Sequence, residues 1–408
     1  MTAKLLFVCN NPAFFADQHM HLAQAARSAG HTVLVAAPEW PGAERIRRAG
    51  FAFLPIHMAR GGVRPLADLR SVRELVRLYR VTAPDLVYHI TLKPILYGTV
   101  AARVARVPGV VNANTGLGYA FIDDSVTTTV VRSTLERAYR KGIRHPNRVD
   151  LFLNQDDRNL FLARRLAEPT RSAVINGPGV DTVAFHPGPE PTGTPVIILP
   201  ARLLWHKGVQ EFVDAARLLD ADGVDARFAL VGDEDPGNLA SIDREQLQAW
   251  NAEGVIEWWG YRHDMPRVYS NCHVVALPSY REGLGKVIAE AGACARPVVA
   301  TDVPGCREII RDGVNGSLVP VRNAHALAEA LKPLIRSREE RFAMGRRGRE
   351  IVEARFSETT VACQTLEVIE QVLSGIRFDP GMLRLVIDRA TDKNIRTNEA
   401  TAPVAFAG

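Results

Sequence analysis

The chain has 408 residues, of which 47% are apolar and 23% are charged. This composition is typical of globular proteins and excludes a fibrous or intrinsically disordered chain. Since a single hydrophobic core rarely grows beyond about 250–300 residues, the length predicts two domains.

No apolar run reaches the roughly 18 residues that a membrane-spanning helix needs, and the amino terminus leads directly into a predicted strand, unlike a signal peptide. The five cysteines are scattered and form no C-x-x-C pair, which argues against a disulfide framework or a zinc site. We therefore expect a cytoplasmic protein.

The formal net charge of +5 is unevenly distributed along the chain. Residues 1–190 contain 24 Lys and Arg against 15 Asp and Glu, whereas the rest contains 26 against 30. A basic half can meet an anionic membrane surface, a phosphorylated lipid or nucleic acid, or it can be solvated without any partner.

The stretch 130–149 concentrates basic residues among apolar ones. Two interpretations remain open for it, a helix lying on an anionic leaflet and a solvated helix face. The first would make the protein peripheral on the inner face of the cytoplasmic membrane. The basic residues are Arg132, Arg137, Arg140, Lys141, Arg144 and Arg148.

Short β-rich runs alternate with amphipathic stretches, a pattern that indicates parallel sheets covered by helices. In the first half we predict strands at 4–9, 32–36, 86–90, 110–113 and 151–154, and helices at 15–29, 69–79 and 96–105. The segment 186–195 is crowded with Pro and Gly, so it is predicted to be a linker that follows a first domain at 1–187.

The same alternation resumes in a second domain, predicted at 195–375. Strands are expected at 196–199, 227–231, 255–259, 273–277 and 298–300, and helices at 210–219, 286–293 and 324–331. The tail 376–408 is expected to be partly disordered or to pack on the first domain. The fold class is therefore α/β, with two Rossmann-like domains facing a central cleft at the carboxyl ends of their strands.

The strongest chemical signal lies at 278–290. Glu282 precedes a glycine-rich turn that opens a helix, and Glu290 follows about two turns later. The amides of Gly283, Leu284 and Gly285, with the helix dipole, suit a phosphate or an electron-rich sugar oxygen. A carboxylate at Glu290 can hold a ribose diol. The alternative is a surface helix with two solvated glutamates.

A cationic pair follows the strand predicted at 196–199. Arg202 supplies a planar fork of donors and Lys207 a compact charge, which together suit a diphosphate. Two solvated cations are the alternative. We favour a binding site because the glycine-opened helix is predicted at the same edge of the sheet.

The segments PARLLWHKGVQEF and SYREGLGKVIAEAGACARPVVATDVPGCREIIRDGVNG resemble the retaining glycosyltransferases of the GT-B fold, family 4. The Glu-x7-Glu motif of that family is matched by Glu282 and Glu290. The resemblance extends over about residues 1–375. Within the family, the stretch 202–212 is similar to bacterial enzymes that extend undecaprenyl-diphosphate-linked glycans, including the N-acetylgalactosaminyltransferases of protein N-glycosylation.

The resemblance implies a role for each residue of the donor site. Glu290 would hold the ribose of a UDP-sugar, and Arg202 and Lys207 would hold its diphosphate. Glu282, the third catalytic candidate, would contact the donor sugar together with the amides that follow it. The remaining donor-binding residues are Gly260 and Tyr261 against the base, Gly283, Leu284 and Gly285, and the loop residues Asn114, Thr115 and Gly116.

The acceptor side implied by the resemblance consists of His19, His89, Thr91 and Lys93. The reaction would move a hexose or N-acetylhexosamine to a saccharide or polyprenyl-linked acceptor, and the leaving phosphate would take the acceptor's proton. No cofactor, metal ion or nucleic acid is expected.

Asp233, Glu234 and Asp235 follow a predicted strand and have the spacing of a metal-binding Asp-x-Asp. We favour a plain loop, because two cations can neutralise a diphosphate without a metal.

Three alternatives remain open. They are a transferase with a soluble small-molecule acceptor, a sugar-nucleotide epimerase on the same fold, and a protein that binds the donor without turnover.

Overall fold

The computed structural model describes residues 2–59, 65–115, 136, 139–140, 145–375 and 378. The chain divides into two compact units. The first unit combines Met1–Gly179 with Glu358–Gly408, and the second unit is Val180–Ser357. The chain therefore leaves the first unit once and returns to it near its end.

The first unit contains a sheet of seven strands whose pairings are all parallel, in the order β3-β2-β1-β4-β5-β6-β7. Its central strands are apolar and buried on both faces, as expected for a parallel sheet covered by helices. The strands are β1 (Lys4–Cys9), β2 (Thr32–Ala37), β3 (Ala52–Pro55), β4 (Leu86–Ile90), β5 (Gly109–Asn114), β6 (Arg148–Phe152) and β7 (Ser172–Val174).

Helices follow these strands and cover both faces of the sheet. The single helix predicted at 15–29 is two helices, which meet at His19. The first begins early because Asn11 accepts hydrogen bonds from the amides of Ala13 and Phe14, with Pro12 at the first helical position. The described helices are α1 (Pro12–Gln18), α2 (Met20–Ser28), α3 (Ala43–Arg48), α4 (Pro65–Thr82), α5 (Leu92–Ala105) and α6 (Gln155–Ala163).

The second unit contains a six-stranded parallel sheet in the order β10-β9-β8-β11-β12-β13. Its strands are β8 (Val196–Pro200), β9 (Arg227–Val231), β10 (Glu257–Trp258), β11 (Val274–Leu277), β12 (Val298–Thr301) and β13 (Gly316–Val319). The helices are α7 (Val209–Ala221), α8 (Arg244–Glu253), α9 (Met265–Ser270), α10 (Lys286–Ala293), α11 (Pro304–Arg307), α12 (Ala324–Arg336) and α13 (Arg338–Arg355).

A last helix, α14 (Glu358–Leu373), belongs to the first unit. Its apolar side chains, including Val368 and Ile369, are part of the core that contains Leu5 and Phe7. The Asn147 side chain donates a hydrogen bond to the Val372 carbonyl at 2.9 Å. The helix therefore completes the core of the first unit.

The domain boundaries differ from those expected from the sequence. The segment predicted as a linker lies in the second unit, where Glu190 pairs with Arg341 and the Pro191 carbonyl accepts a hydrogen bond from His273 at 3.1 Å. The units instead divide at Gly179, and the second ends at Ser357 rather than at residue 375. Apart from Phe378, which is buried in the first core, the tail 376–408 lies outside the described residues.

A buried polar network crosses the first sheet. The His89 ring is fully buried, and its nitrogens contact Asn112 Oδ1 at 2.9 Å and the Tyr79 hydroxyl at 3.0 Å. Because Asn112 uses its amide nitrogen to donate to Asp150, its oxygen faces His89, so Nδ1 carries the proton and Nε2 accepts from Tyr79. Arg148 donates to the other Asp150 oxygen at 3.0 Å.

This network makes the stability of the first unit pH-dependent. Burial lowers the pKa of His89 from 6.5 to about 4, so the unfolded chain takes up a proton at a higher pH than the folded chain. The contribution of His89 is fully present above pH 6.5 and is lost as the pH falls towards 4, by at most about 3 kcal/mol. Urea unfolding across this range measures the loss, and His89→Gln should reduce it.

NMR of the folded protein provides a check that does not depend on the stability of the variant. The His89 ring should be neutral at a pH of about 5. A protonated ring at that pH would contradict the assignment.

Candidate active site

Two loops of the second unit, 201–208 after β8 and 278–285 after β11, contact each other at the carboxyl edge of the sheet. Gly208 has φ +72°, and a Cβ atom there would overlap the Pro278 carbonyl, so glycine alone fits. The Tyr280 amide donates to the His206 carbonyl at 2.9 Å. These contacts hold the two loops in register.

Lys207 and Glu282 form an ion pair across the two loops. Their Nζ and Oε1 atoms are 2.6 Å apart, and the side chains are 18% and 11% exposed. The backbone behind Glu282 is also held, because its carbonyl accepts from the Gly305 amide at 3.2 Å. The pair therefore presents a positioned ammonium and carboxylate with little solvent around them.

The second glutamate of the motif, Glu290, lies on α10. The Tyr269 hydroxyl donates to its Oε2 at 2.9 Å, and the Lys286 ammonium is 3.6 Å from Oε1. Burial raises the pKa of Glu290, although Lys286 and Tyr269 act in the opposite direction. Tyr269 was not predicted from the sequence, since a tyrosine 21 positions before Glu290 carries no recognisable signal.

Glu290 lines a cavity of about 400 Å³ at the carboxyl ends of β8 and β9, which we call the donor groove. That volume lies within the range of small-molecule sites. Arg202 and Tyr261 also line it, with exposed side chains. Arg202 pairs with Asp235 at 2.7 Å, and because such an exposed pair contributes little free energy, Arg202 can exchange Asp235 for a ligand.

His206 lies near both predicted cations, Arg202 and Lys207. Burial lowers the pKa of His206, and the charges of Lys207 and Arg202 lower it further. Its Nδ1 is buried and has no hydrogen-bond partner in the described part of the chain. The loop after β8 therefore presents Arg202 and Lys207 near a histidine that was not predicted as a site residue.

The acidic triplet after β9 does not converge on a common point. Asp235 pairs with Arg202, whereas Arg244 contacts Asp233 at 3.4 Å and Glu234 at 3.0 Å. Over the described residues, no group of three or more His, Cys, Asp or Glu side chains is arranged to hold a metal ion.

The glycines of the predicted donor site hold the backbone in place. Gly260 has φ +67°, and its carbonyl accepts from the Gly232 amide at 2.9 Å, which ties the loops after β9 and β10 together. The motif Gly283, Leu284 and Gly285 precedes α10, but the Gly285 amide donates to the Gly305 carbonyl at 3.4 Å. That amide is therefore already used within the protein.

In the first unit, His19, Asn114 and Thr115 line an enclosed cavity beside Tyr88. Asn114 is held by a hydrogen bond to the Leu151 carbonyl at 3.1 Å and accepts one from Tyr139 at 3.1 Å. Gly116, predicted in the same loop, lies outside the described residues.

The residues predicted on the acceptor side have different environments. The prediction for His89 is corrected, because its ring is buried and both nitrogens are bonded within the protein. Thr91 has φ +74° and ψ 164°, a region almost restricted to glycine, and its hydroxyl donates to Asn10 at 2.7 Å. Lys93 pairs with Asp68 at 3.3 Å. Thr91 and Lys93 thus lie where β4 meets α5.

The basic stretch 130–149 is described only in part. Arg140 pairs with Glu136 at 3.3 Å. Arg148 is 8% exposed and bonded to Asp150, so it is a core residue and not part of a basic surface. The other four basic residues of the stretch, Arg132, Arg137, Lys141 and Arg144, lie outside the described residues. Of the helices that the structure describes, none is both long and apolar enough to cross a bilayer.

Two family models match the chain. The model of group 1 glycosyl transferases matches residues 182–351, and the model of 4-like glycosyl transferases matches residues 4–144. The chain belongs to the family 4 glycosyltransferases. The family is of the retaining class, as the resemblance implied.

Relatives extend the match over nearly the whole chain. The N,N'-diacetylbacillosaminyl-diphospho-undecaprenol alpha-1,3-N-acetylgalactosaminyltransferase of Campylobacter jejuni is 24% identical over 370 residues, covering 88% of this chain and 96% of that protein. The putative glycosyltransferase EpsD of Bacillus subtilis is 26% identical, covering 92% and 97%. The crystal structure of Anabaena HepE with UDP and glucose has a TM-score of 0.73 at 21% identity, covering 90% and 99%. The predicted α/β fold class with two Rossmann-like domains is confirmed.

The contact between the two loops predicts the effect of a methyl group at Gly208. Gly208→Ala should destabilise the second unit by about 1–3 kcal/mol and slow transfer, because the new Cβ pushes the Pro278 loop away and separates Lys207 from Glu282. Urea unfolding and steady-state kinetics measure the two effects.

Gly223→Ala is the matched control. Gly223 also has positive φ, +68°, but a Cβ there meets nothing within 4 Å. It should cost only the backbone strain of about 1 kcal/mol and leave kcat unchanged. Equal effects of the two substitutions on kcat would show that the contact does not position the site.

Proposed function

We propose that this enzyme transfers a hexose or N-acetylhexosamine from a UDP-sugar to a lipid-linked saccharide during synthesis of a cell-surface glycan. The observation that carries the proposal is the donor groove, where Glu290, held by Tyr269, lies with Arg202 at the carboxyl edge of a parallel sheet. The name of the C. jejuni relative describes an undecaprenol-linked acceptor, and HepE was solved with UDP and glucose.

Each part of the donor has a complementary group in the second unit. The Glu290 carboxylate accepts hydrogen bonds from the ribose hydroxyls, since Tyr269 fixes its other oxygen. Arg202 and Lys207 contact the diphosphate, Tyr261 and Gly260 flank the base, and Glu282 contacts the sugar. No metal ion is needed in this scheme, because two side-chain cations meet the two phosphate groups.

The same groups act on the transition state. As the bond between the anomeric carbon and the phosphate oxygen breaks, negative charge grows on the diphosphate and positive charge on the sugar ring. Lys207 stabilises the negative charge on the diphosphate. The Glu282 carboxylate, 2.6 Å from Lys207, stabilises the positive charge on the sugar ring. The acceptor hydroxyl attacks from the face that the diphosphate leaves and passes its proton to the leaving phosphate oxygen, which retains the anomeric configuration.

A basic surface in the first unit is a second argument for an acceptor that is attached to a lipid. Helix α4 buries Ser71, Leu75 and Tyr79, and its opposite face carries four exposed arginines that form no ion pair with the described residues. Leu66 is 87% exposed on the same helix, as expected for a helix on an anionic leaflet. The arginines are Arg70, Arg73, Arg77 and Arg80.

The purified enzyme, assayed against UDP-sugars and polyprenyl-diphosphate saccharides with mass-spectrometric detection, should give one elongated lipid-linked product. The anomeric configuration should be that of the donor, and EDTA should not abolish transfer. Transfer only to soluble acceptors would favour the alternative acceptor class, and epimerised donor without transfer would reject the proposal.

Substitutions of the two predicted cations test the proposed donor site. Arg202→Ala and Lys207→Ala should each weaken UDP binding about tenfold or more, because each removes a charge-assisted contact. Arg217→Ala is the control, since Arg217 is a surface arginine of the same unit paired with Glu253 and Asp214. Unchanged UDP affinity in both the Arg202→Ala and the Lys207→Ala variant would reject the assignment of these residues to the diphosphate.

Substitutions on α4 test whether the enzyme binds an anionic lipid surface. The double reversal Arg73→Glu and Arg77→Glu should reduce sedimentation with phosphatidylglycerol vesicles and slow transfer to a lipid-linked acceptor, because each basic residue near an anionic surface contributes about 1 kcal/mol. UDP affinity should not change. If the wild type does not sediment with these vesicles at low salt, α4 is not a membrane surface.

A further inference from the structure

A second cavity of the second unit, of about 310 Å³, lies at the opposite edge of the sheet from the donor groove. His273 and Pro297, which line it, immediately precede β11 and β12, so it adjoins the amino ends of these strands. The segment 187–190 and residues 338–349 of α13 form its other walls. Its charged lining residues, apart from His273, are Glu190, Arg296, Arg338, Arg341, Arg346 and Arg349.

The one carboxylate among these lining residues is already neutralised. Arg341 Nη2 donates to Glu190 at 3.0 Å, and Arg338 lies 3.3 Å from the same side chain. Burial opposes ionisation of Glu190, yet the bond from Arg341 leaves its pKa below the ordinary value. Glu190 therefore stays charged and balances Arg341, which also donates to two backbone carbonyls.

Positive charge remains after this pairing. Arg296 is 6% exposed and donates to backbone carbonyls, including that of Tyr269 at 3.0 Å, but to no carboxylate of the described residues. Arg346 forms no ion pair with the described chain either, whereas Arg349 is matched by Glu353 at 2.6 Å. Backbone carbonyls satisfy the hydrogen bonds of Arg296 but do not neutralise its charge, so the positive potential in the cavity favours an anion.

We propose that this cavity binds a phosphate-bearing compound. Arg338 and Arg346, both exposed and two turns apart on α13, supply planar forks that match phosphate oxygens, and Arg296 supplies positive potential beneath them. Phe342 lies between the two on the same face and is 74% exposed, so it can cover the organic part of the ligand. The phosphate can come from a soluble diphosphate or from an anionic lipid headgroup.

The first arm of the test uses inorganic pyrophosphate. It is titrated calorimetrically into the full chain in the presence of saturating UDP, which occupies the donor groove. The double substitution Arg338→Ala and Arg346→Ala should raise the Kd for pyrophosphate about tenfold or more and leave the Kd for UDP unchanged. Arg341 still holds Glu190 in this variant, so the fold of the segment 187–190 is retained.

Arg347→Ala is the matched control, because Arg347 is exposed on the same helix but pairs with Glu350 and does not line the cavity. The second arm measures sedimentation with phosphatidylglycerol vesicles. Loss of vesicle binding in the double variant alone, without pyrophosphate binding by the wild type, assigns the site to a lipid headgroup. Binding of neither probe, or an equal loss in Arg347→Ala, would overturn the proposal.

Discussion

The candidate donor site depends on the close approach of two backbone loops at Gly208 and Pro278. A side chain at Gly208 would overlap the Pro278 carbonyl, and φ of +72° is one that other residues adopt only at a cost. Because the loops meet there, Lys207 reaches Glu282 at 2.6 Å and the Tyr280 amide reaches the His206 carbonyl. This backbone contact thus positions the two charged groups, so the side chains of Lys207 and Glu282 lose less conformational entropy when they form their ion pair.

Ion pairs within the protein already position the cations of this candidate site. Lys207 rests against Glu282, and Arg202 rests against Asp235, so each cation has a partner before the donor arrives. In the proposed function, a diphosphate would replace Asp235 at an exposed position, where the pair contributes little, and would share Lys207 at a buried position with Glu282. The charges that the reaction needs are thereby oriented in advance rather than recruited from solvent.

The central strands of both sheets could be predicted from the sequence because parallel strands buried on both faces are continuous apolar runs, and β1, β4 and β9 have the predicted bounds. The strands that were not predicted, β3, β7 and β13, lie at sheet edges, where burial on one side leaves a weaker pattern. The motif of Glu282 and Glu290 is local in sequence. The hydrogen bond between Glu290 and Tyr269 and the burial of His89 involve residues that are distant in sequence. Local sequence patterns therefore could not predict them.

The return of α14 to the first unit has a consequence for biosynthesis. Translation proceeds from the amino terminus, so Val361, Val368 and Ile369, which complete the first core, leave the ribosome after the whole of the second unit. Domains usually fold in the order of their synthesis. Here the continuous second unit can close its core while the first still exposes the apolar surface that α14 will cover. A nascent chain stalled at Ser357 therefore exposes that surface to chaperones and to aggregation.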